Sequence, residues 1–372
     1  MPEAAPRTGR VAVNLLWCVP GDVGGSEEYL VRQLLGLAEA APALRPDLYV
    51  VDGFSAAHPQ LAELFPMIVA SFDGTSRARR IVGEMTWFHR RAAAADLRHH
   101  GGGVAPQGAG RPYVLTIHDL QYRTFPEHFS RTKRTYLATM IGRSVRRAGM
   151  VAVPSEYVRT TVLDAFALDP SLVGVVPHGF EPDLLSDITS EDDLRHRYAL
   201  GDRPIIVYPA VTHPHKNHQF LIELLATNWH DADVLLVLIG GNGSAEGVVR
   251  SAADPRLRRL GRVSAADRNG LLKMAEAMVF PSRYEGFGAP LIEAMALGCP
   301  VVASDSTCIP AIVDGAGLVL PLTMQAWADA LDRVGKERTT MIAAGLARSQ
   351  AFTSRASGAA LGAVYAAALE RS

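Results

Sequence analysis

The residues best suited to chemistry are concentrated in the stretch Phe280-Pro-Ser-Arg-Tyr-Glu-Gly-Phe-Gly-Ala-Pro-Leu-Ile-Glu-Ala-Met-Ala-Leu-Gly-Cys-Pro-Val-Val-Ala-Ser304. An apolar strand ends at Phe280 and a glycine-rich turn follows. Pro290 then stands where a first-turn proline is tolerated, because that position has no intrahelical partner for an N–H. The turn Glu285-Gly-Phe-Gly288 is therefore expected at a helix N-terminus. Backbone N–H groups and the positive end of the helix dipole can hold an anion there, such as a diphosphate. Gly286 and Gly288 let the backbone come close to it. Glu285 lies in the turn and Glu293 one turn into the helix, so both can address one cleft at different depths. Carboxylates of this kind suit the hydroxyls of a sugar and a ribose. Glu293 stands among Leu291, Ile292, Ala294 and Met295, where a carboxylate is costly without a partner.

These residues need a scaffold, and the chain supplies a strand–helix alternation over almost its whole length. Val11–Trp17, Leu48–Val51, Tyr113–Ile117, Met150–Val153 and Val173–Val176 read as buried strands in the first half. Ile205–Tyr208, Val234–Ile239, Met278–Phe280 and Val301–Ala303 do so in the second. Amphipathic stretches lie between them, at Glu27–Ala40, Arg131–Ala148, Gln219–Thr227, Ala265–Glu276 and Pro290–Leu297. Such alternation predicts an α/β protein with parallel sheets covered on both faces. The rhythm breaks between Gly179 and Arg203, through Glu181-Pro-Asp183 and the polar run Ser190–Asp193. This places a Rossmann-like domain at 1–187, a second at 188–353, and a C-terminal helix at 354–372 packing across both. Arg98–Gly110, with six glycine or proline positions, reads as a mobile surface loop.

At 372 residues the length suits two domains at roughly 150 residues each. The 37 basic and 38 acidic side chains argue against a dedicated nucleic-acid binder, which needs a basic surface for phosphates. Cys18, Cys299 and Cys308 have unrelated spacings and imply reduced, buried thiols. The polar segment Met1–Arg10 lacks a signal-peptide apolar core, and no apolar run reaches the ~20 residues that span a bilayer. A cytoplasmic protein is expected, with peripheral contact at the inner membrane face as an option. The helix bearing Arg131, Lys133, Arg134, Arg143, Arg146 and Arg147 would provide that contact.

Two further features look like ligand motifs. Gly240-Gly-Asn-Gly243 follows a strand and hints at a dinucleotide fingerprint, but Glu246 occupies the slot of its last glycine. His213, His215 and His218 cluster without an acidic or cysteine partner at ligating spacing, so no metal is expected there.

The Glu-x7-Glu pair, the preceding Pro281-Ser282 and the following Ala-Met-Ala-x-Gly-x-Pro-Val-Val-Ala-Ser closely resemble the retaining GT-B glycosyltransferases of the family-4 type. Gly261-Arg-Val263, Asp267, Leu271-Leu272 and Ala275 fit the segment leading into that motif. The resemblance is strong from Tyr208 to Ser304 and looser before it. It implies two Rossmann-like domains facing across a cleft and a metal-independent transfer of a hexosyl group from a nucleotide-diphosphate sugar to an acceptor hydroxyl. It places Lys216 and the Gly286-Phe287-Gly288 backbone on the diphosphate and Glu293 on the ribose. Glu285 falls on the sugar, Arg262 and Val263 by the base, and the Gly240 loop near the donor. It sets His118, in Thr116-Ile-His-Asp-Leu120, beside the transferred sugar under the Gly24-Gly25 loop, with closure of the cleft excluding water. Val176-Pro-His-Gly179 matches a marker at the end of the first domain and reads as a turn.

Two positions depart from the pattern. Val211 and His215 stand where many relatives carry an arginine, so His215, with Thr212 or His213, must take over part of that role. Pro310-Ala311 replaces a frequent Pro-Glu. The segments around His118 and Lys216 resemble mannosyl- and related hexosyltransferases, which puts GDP-mannose ahead of UDP-glucose and UDP-N-acetylglucosamine as donor. The acceptor is a saccharide, a lipid-linked sugar or a small molecule. Other readings are a catalytically weak or inactive GT-B partner subunit, a GT-B sugar-nucleotide epimerase, and a phosphorylase, for which the chain is short.

Overall fold

The computed structural model describes residues 9–21, 24–72, 74–110, 112–180 and 187–371. Asp22, Val23, Glu181–Asp183 and most of the polar N-terminal segment, on which parts of the sequence reading fell, lie outside the described residues. The chain forms two compact units, Met1–Gly179 with Thr353–Ser372, and Phe180–Phe352. The first is built on a parallel sheet of β1 (Val11–Asn14), β2 (Asp47–Val50), β3 (Met67–Val69), β4 (Leu97–His100), β5 (Tyr113–Thr116), β6 (Met150–Val153) and β7 (Val173–Val175). Their spatial order is β3-β2-β1-β4-β5-β6-β7. The second is built on β8 (Ile205–Pro209), β9 (Leu235–Ile239), β10 (Leu257–Gly261), β11 (Ala277–Phe280), β12 (Val301–Ser304) and β13 (Leu318–Leu320). Their order is β10-β9-β8-β11-β12-β13, again all parallel.

Both sheets are doubly wound. The strand order reverses between β1 and β4 in the first unit and between β8 and β11 in the second. At such a reversal the loops after two neighbouring strands leave in opposite directions, which opens a crevice at the carboxyl ends of the strands. The strands that flank these crevices are buried: Val11, Val13, Ile206, Val207, Met278 and Val279 are all nearly or fully excluded from solvent. This explains their continuous apolar runs, since a parallel sheet covered on both faces leaves no polar alternation.

The helices Gly25–Ala40, Arg131–Val145, His218–Ala226, Ala265–Met274 and Ala289–Ala296 fall where the periodicity predicts them, with ends shifted by a few residues. The C-terminal helix Ser354–Glu370 packs against Gly25–Ala40 and belongs to the first unit. The two helices cross so closely that a Cβ on Gly36 would lie 1.6 Å from the Ser354 carbonyl oxygen, and one on Gly358 would lie 2.0 Å from Leu37 N. Tyr365 and Leu361 of the C-terminal helix complete the core around Leu34, Leu37 and Val114.

One reading is overturned. Arg98–Gly110 is not a mobile surface loop: its first residues form β4, at the centre of the first sheet, and Arg98, His99 and His100 are all buried. The polar strand is tolerated because its side chains find partners. His99 Nδ1 meets the Tyr365 hydroxyl and His99 Nε2 the Thr116 hydroxyl, each at 2.8 Å. His100 Nδ1 meets Asn14 Nδ2 at 3.2 Å, and Arg98 donates to the Ala92 carbonyl. Burial drives the pKa of both histidines down to about 3. The following segment is anchored too, with Ala105 N donating to Ser144 Oγ and with Ala105 and Ala109 buried.

Candidate functional site

In the second unit the predicted residues gather at the carboxyl edge of the sheet. Thr212, His215 and Lys216 follow β8, Gly240 follows β9, Arg262 and Val263 follow β10, and Glu285 to Gly288 follow β11. The crevice between β8 and β11 is bridged by an ion pair, Lys216 Nζ to Glu285 Oε1 at 2.6 Å. Both side chains are largely withdrawn from water, at 18% and 10% exposure. The two residues sit 69 positions apart in the chain and meet only because β8 and β11 are neighbours.

The loops that carry this pair are stitched together. Arg283 N donates to the His215 carbonyl at 2.7 Å, and Asn217 Nδ2 donates to the Pro281 carbonyl at 3.3 Å. The buried Tyr208 hydroxyl donates to the Lys216 carbonyl at 2.7 Å and lies 3.1 Å from Ser282 Oγ. Asn217 adopts a left-handed conformation with φ 58°, which asparagine tolerates better than most residues. Glu285 N donates to Thr307 Oγ1, and Cys308 Sγ donates to the carbonyls of Glu285 and Phe287. Burial, aided by the Glu285 charge, raises the Cys308 thiol to about 12, so it acts here as a neutral donor.

Gly288 caps the helix Ala289–Ala296 with φ 87°, and Pro290 occupies the first turn. No side chain caps this helix, so the positive end of its dipole opens beside the crevice, an arrangement that favours an anion, while Leu291 N donates to the Gly288 carbonyl. Phe287 is different. Its ring is buried against Phe352, with centroids 5.7 Å apart, so only its backbone can serve a ligand. Glu293 is also buried, and the partner its surroundings demand is Arg268, whose Nη1 lies 3.5 Å from Glu293 Oε2. Thr212 has its hydroxyl engaged within the protein: it donates to Glu246 Oε2 at 2.6 Å and accepts from Gly243 N at 2.7 Å. Glu246 also holds Arg259, which donates to the Gly240 carbonyl. The residue that breaks the dinucleotide fingerprint is thus the clamp of the glycine loop. Arg262 is exposed at the end of β10, Val263 is half-buried, and the His215 ring stacks near His213 with centroids 5.7 Å apart.

In the first unit His118 follows β5, and Gly24 and Gly25 open the helix Gly25–Ala40 after β1. Gly24, at φ 70° and ψ −133°, takes a backbone conformation that only glycine adopts readily. The turn is tied down by Glu27, which accepts from Gly21 N and meets His58 Nε2 at 2.7 Å. His118 Nε2 donates to the Gly101 carbonyl at 2.8 Å, which fixes the proton on Nε2 and leaves Nδ1 as the acceptor nitrogen. Burial lowers its pKa, against the opposing pull of that carbonyl, so the ring is neutral. Its neighbours are Trp17 and Tyr29, at 6.0 and 5.5 Å between centroids, and His178 stacks on Tyr29 at 4.2 Å.

Sequence reasoning missed the supporting roles of Tyr208, Asn217, Glu246, Arg268, Thr307 and Cys308, although it places Glu246 at the fingerprint's last glycine slot and reads Cys308 as a buried thiol. Only Glu293's apolar surroundings signalled a partner, without naming it. Among the described residues no group of three potential ligands converges to hold a metal, and no helix is long and apolar enough to cross a membrane.

Two doubly wound parallel domains of this kind match the GT-B fold. The same fold is seen in Anabaena HepE, crystallised with UDP and glucose, at a TM-score of 0.73 and 20% identity over 96% of this chain and 99% of that one. The family described as Glycosyltransferase Family 4 matches residues 23–184, and that described as Glycosyl transferases group 1 matches residues 203–337. The O-antigen chain mannosyltransferase B of Escherichia coli is 28% identical over 214 residues, 55% of this chain and 56% of that protein. A GDP-mannose-dependent α-(1-6)-phosphatidylinositol monomannoside mannosyltransferase of Mycolicibacterium smegmatis is 29% identical over 64% of each chain. Each alignment spans less than two thirds of the relative's length. The chain belongs to the GT-B glycosyltransferases of the family-4 type.

Proposed function

We propose that the chain transfers a hexosyl group from a nucleotide-diphosphate sugar to an acceptor hydroxyl with retention of anomeric configuration, and that GDP-mannose is the donor, ahead of UDP-sugars. The observation that carries this reading is the Lys216–Glu285 pair beside the open N-terminus of Ala289–Ala296. An arriving diphosphate competes with Glu285 for the Lys216 ammonium, and the Gly286–Gly288 backbone adds N–H donors. Glu285, released from the lysine, accepts hydrogen bonds from the sugar hydroxyls. Glu293, oriented by Arg268, accepts from the ribose, and Arg262, Val263 and the Gly240 loop border the base.

The reacting bond is the one between the anomeric carbon and the diphosphate oxygen. As it breaks, negative charge grows on the leaving diphosphate, where Lys216 and the helix terminus stabilise it; this is the largest contribution to catalysis. The acceptor oxygen bonds to the same face of the anomeric carbon, and its proton passes to the departing phosphate oxygen. In this reading neutral His118 offers Nδ1 to a sugar hydroxyl, and the Gly24-Gly25 turn offers backbone N–H groups. The GDP-mannose dependence of the similar mycolicibacterial enzyme supports the donor choice.

Incubation with GDP-mannose, UDP-glucose and UDP-N-acetylglucosamine, each with and without a panel of saccharide acceptors, tests the proposal, with the product anomer read by NMR. Donor-dependent glycoside formation with retained configuration is expected. An inverted product, or consumption of donor to an epimer without transfer, would sink it. Glu285→Ala at saturating donor should lose most turnover.

A further inference from the structure

The first unit contains a cavity away from the strand-end crevice. It has a volume of about 270 Å³ and lies between the segment Ala105–Gly110, the start of β5 at Tyr113, and the end of the helix Arg131–Val145. Its polar lining is cationic: Arg143 and Arg147 face it, with no acidic residue among the lining residues. Arg143 Nη1 is shielded from solvent and has no hydrogen-bond partner, and neither arginine forms an ion pair among the described residues.

The remaining polar groups of the wall are already satisfied. The Tyr113 hydroxyl donates to the Ser144 carbonyl at 2.7 Å, and Ser144 Oγ donates to the Met140 carbonyl and accepts from Ala105 N. The polar groups of the floor are therefore engaged with one another, and the guanidinium donors are left to meet something else. No carboxylate or carbonyl among the described residues answers Arg143 Nη1. A buried guanidinium nitrogen without an acceptor is costly, because its hydration is lost and not replaced. Placement at a helix C-terminus favours basic residues, which accounts for the charge of Arg147 at the surface, but it does not supply an acceptor to Arg143 Nη1.

We propose that this cavity binds a phosphate group, carried by a phosphomonoester ligand. The choice follows from charge and geometry. Two uncompensated guanidinium groups call for two negative charges; a carboxylate brings one, whereas a phosphomonoester brings close to two near neutral pH, with three acceptor oxygens. Planar guanidinium forks match those oxygens in pairs. The volume accommodates a phosphate with a small attached group. The site is separate from the transfer chemistry and stands or falls independently of it.

The test is titration of the full chain with inorganic phosphate, followed calorimetrically with the nucleotide site saturated by GDP or UDP. Vesicles of phosphatidylcholine with and without phosphatidic acid distinguish a lipid-borne phosphomonoester from a soluble one. Saturable binding is expected, weakened at least about tenfold in Arg143→Gln and in the surface variant Arg147→Gln. Nucleotide affinity should be unchanged in both variants. Retention on phosphatidic acid vesicles that Arg147→Gln abolishes assigns the lipid source; binding of free phosphate alone assigns the soluble one. Absence of binding in both arms, or binding indifferent to both substitutions, overturns the proposal.

Discussion

Lys216→Met cuts the ion pair that bridges β8 and β11, and its consequences can be followed through the structure. The substitution leaves the Glu285 carboxylate with 10% of its side-chain surface in water and no ammonium 2.6 Å away. Removing one member of a fully buried pair costs roughly 3–5 kcal/mol. Lys216 retains 18% exposure, so solvent relieves part of that, and about 2–3 kcal/mol is expected for this pair. Chemical unfolding of the second unit should register the loss. Turnover at saturating donor should fall by a hundredfold or more, roughly the effect of removing one stabilising donor from a developing oxyanion. Lys216→Met with Glu285→Gln then separates the two roles. The double substitution removes the stranded charge, so stability should return most of the way to the unsubstituted protein while turnover stays low. Recovery of turnover together with stability would show the pair to be a structural strut and would refute its assignment to the diphosphate.

Other expectations follow from the same contacts. Arg268→Ala strips Glu293 of its guanidinium and should destabilise the second unit by about 1–3 kcal/mol, raising the donor KM more than it lowers kcat. Equal losses in kcat and kcat/KM would place Glu293 elsewhere than on the ribose. Acidification should weaken the first unit. His99 and His100 stay neutral in the folded protein down to about pH 3, whereas unfolded imidazoles protonate from about 6.5. The folded state is thus fully favoured above 6.5 and loses about 2 kcal/mol per histidine by pH 5, as the unfolded chain takes up protons. Urea midpoints that stay constant from pH 7 to 5 would contradict this. In the proposed reading Lys216 and the helix terminus supply the positive charge that the diphosphate needs, so turnover is expected to persist unchanged in excess EDTA. Activity that disappears and returns with a divalent cation would count against that.

Much of the fold was legible because parallel strands buried on both faces leave a strong local signal. Residues 11–13, Ile205–Pro209 and Ala277–Phe280 are apolar without alternation, and Gly288 with Pro290 marks a helix start by backbone chemistry alone. The same local logic pointed to Glu285 through its glycine-rich turn and to Glu293, since an acidic residue inside an apolar helix has to be answered by something. What answers it is not local. Arg268 meets Glu293 from another helix, and Glu246 clamps Thr212 from 34 residues away. The strand Leu97–His100 shows the limit most clearly. Its Leu-Arg-His-His sequence has no strand periodicity, and it becomes the centre of a sheet only because Tyr365, Thr116, Asn14 and Ala92 arrive from distant parts of the chain to satisfy its side chains. The sequence by itself thus determined the parallel α/β architecture, the strand–turn–helix that carries the two glutamates, and the kinship that those residues announce. Tertiary structure alone decided which charges meet, because a hydrogen bond or ion pair depends on distances that only strand order sets.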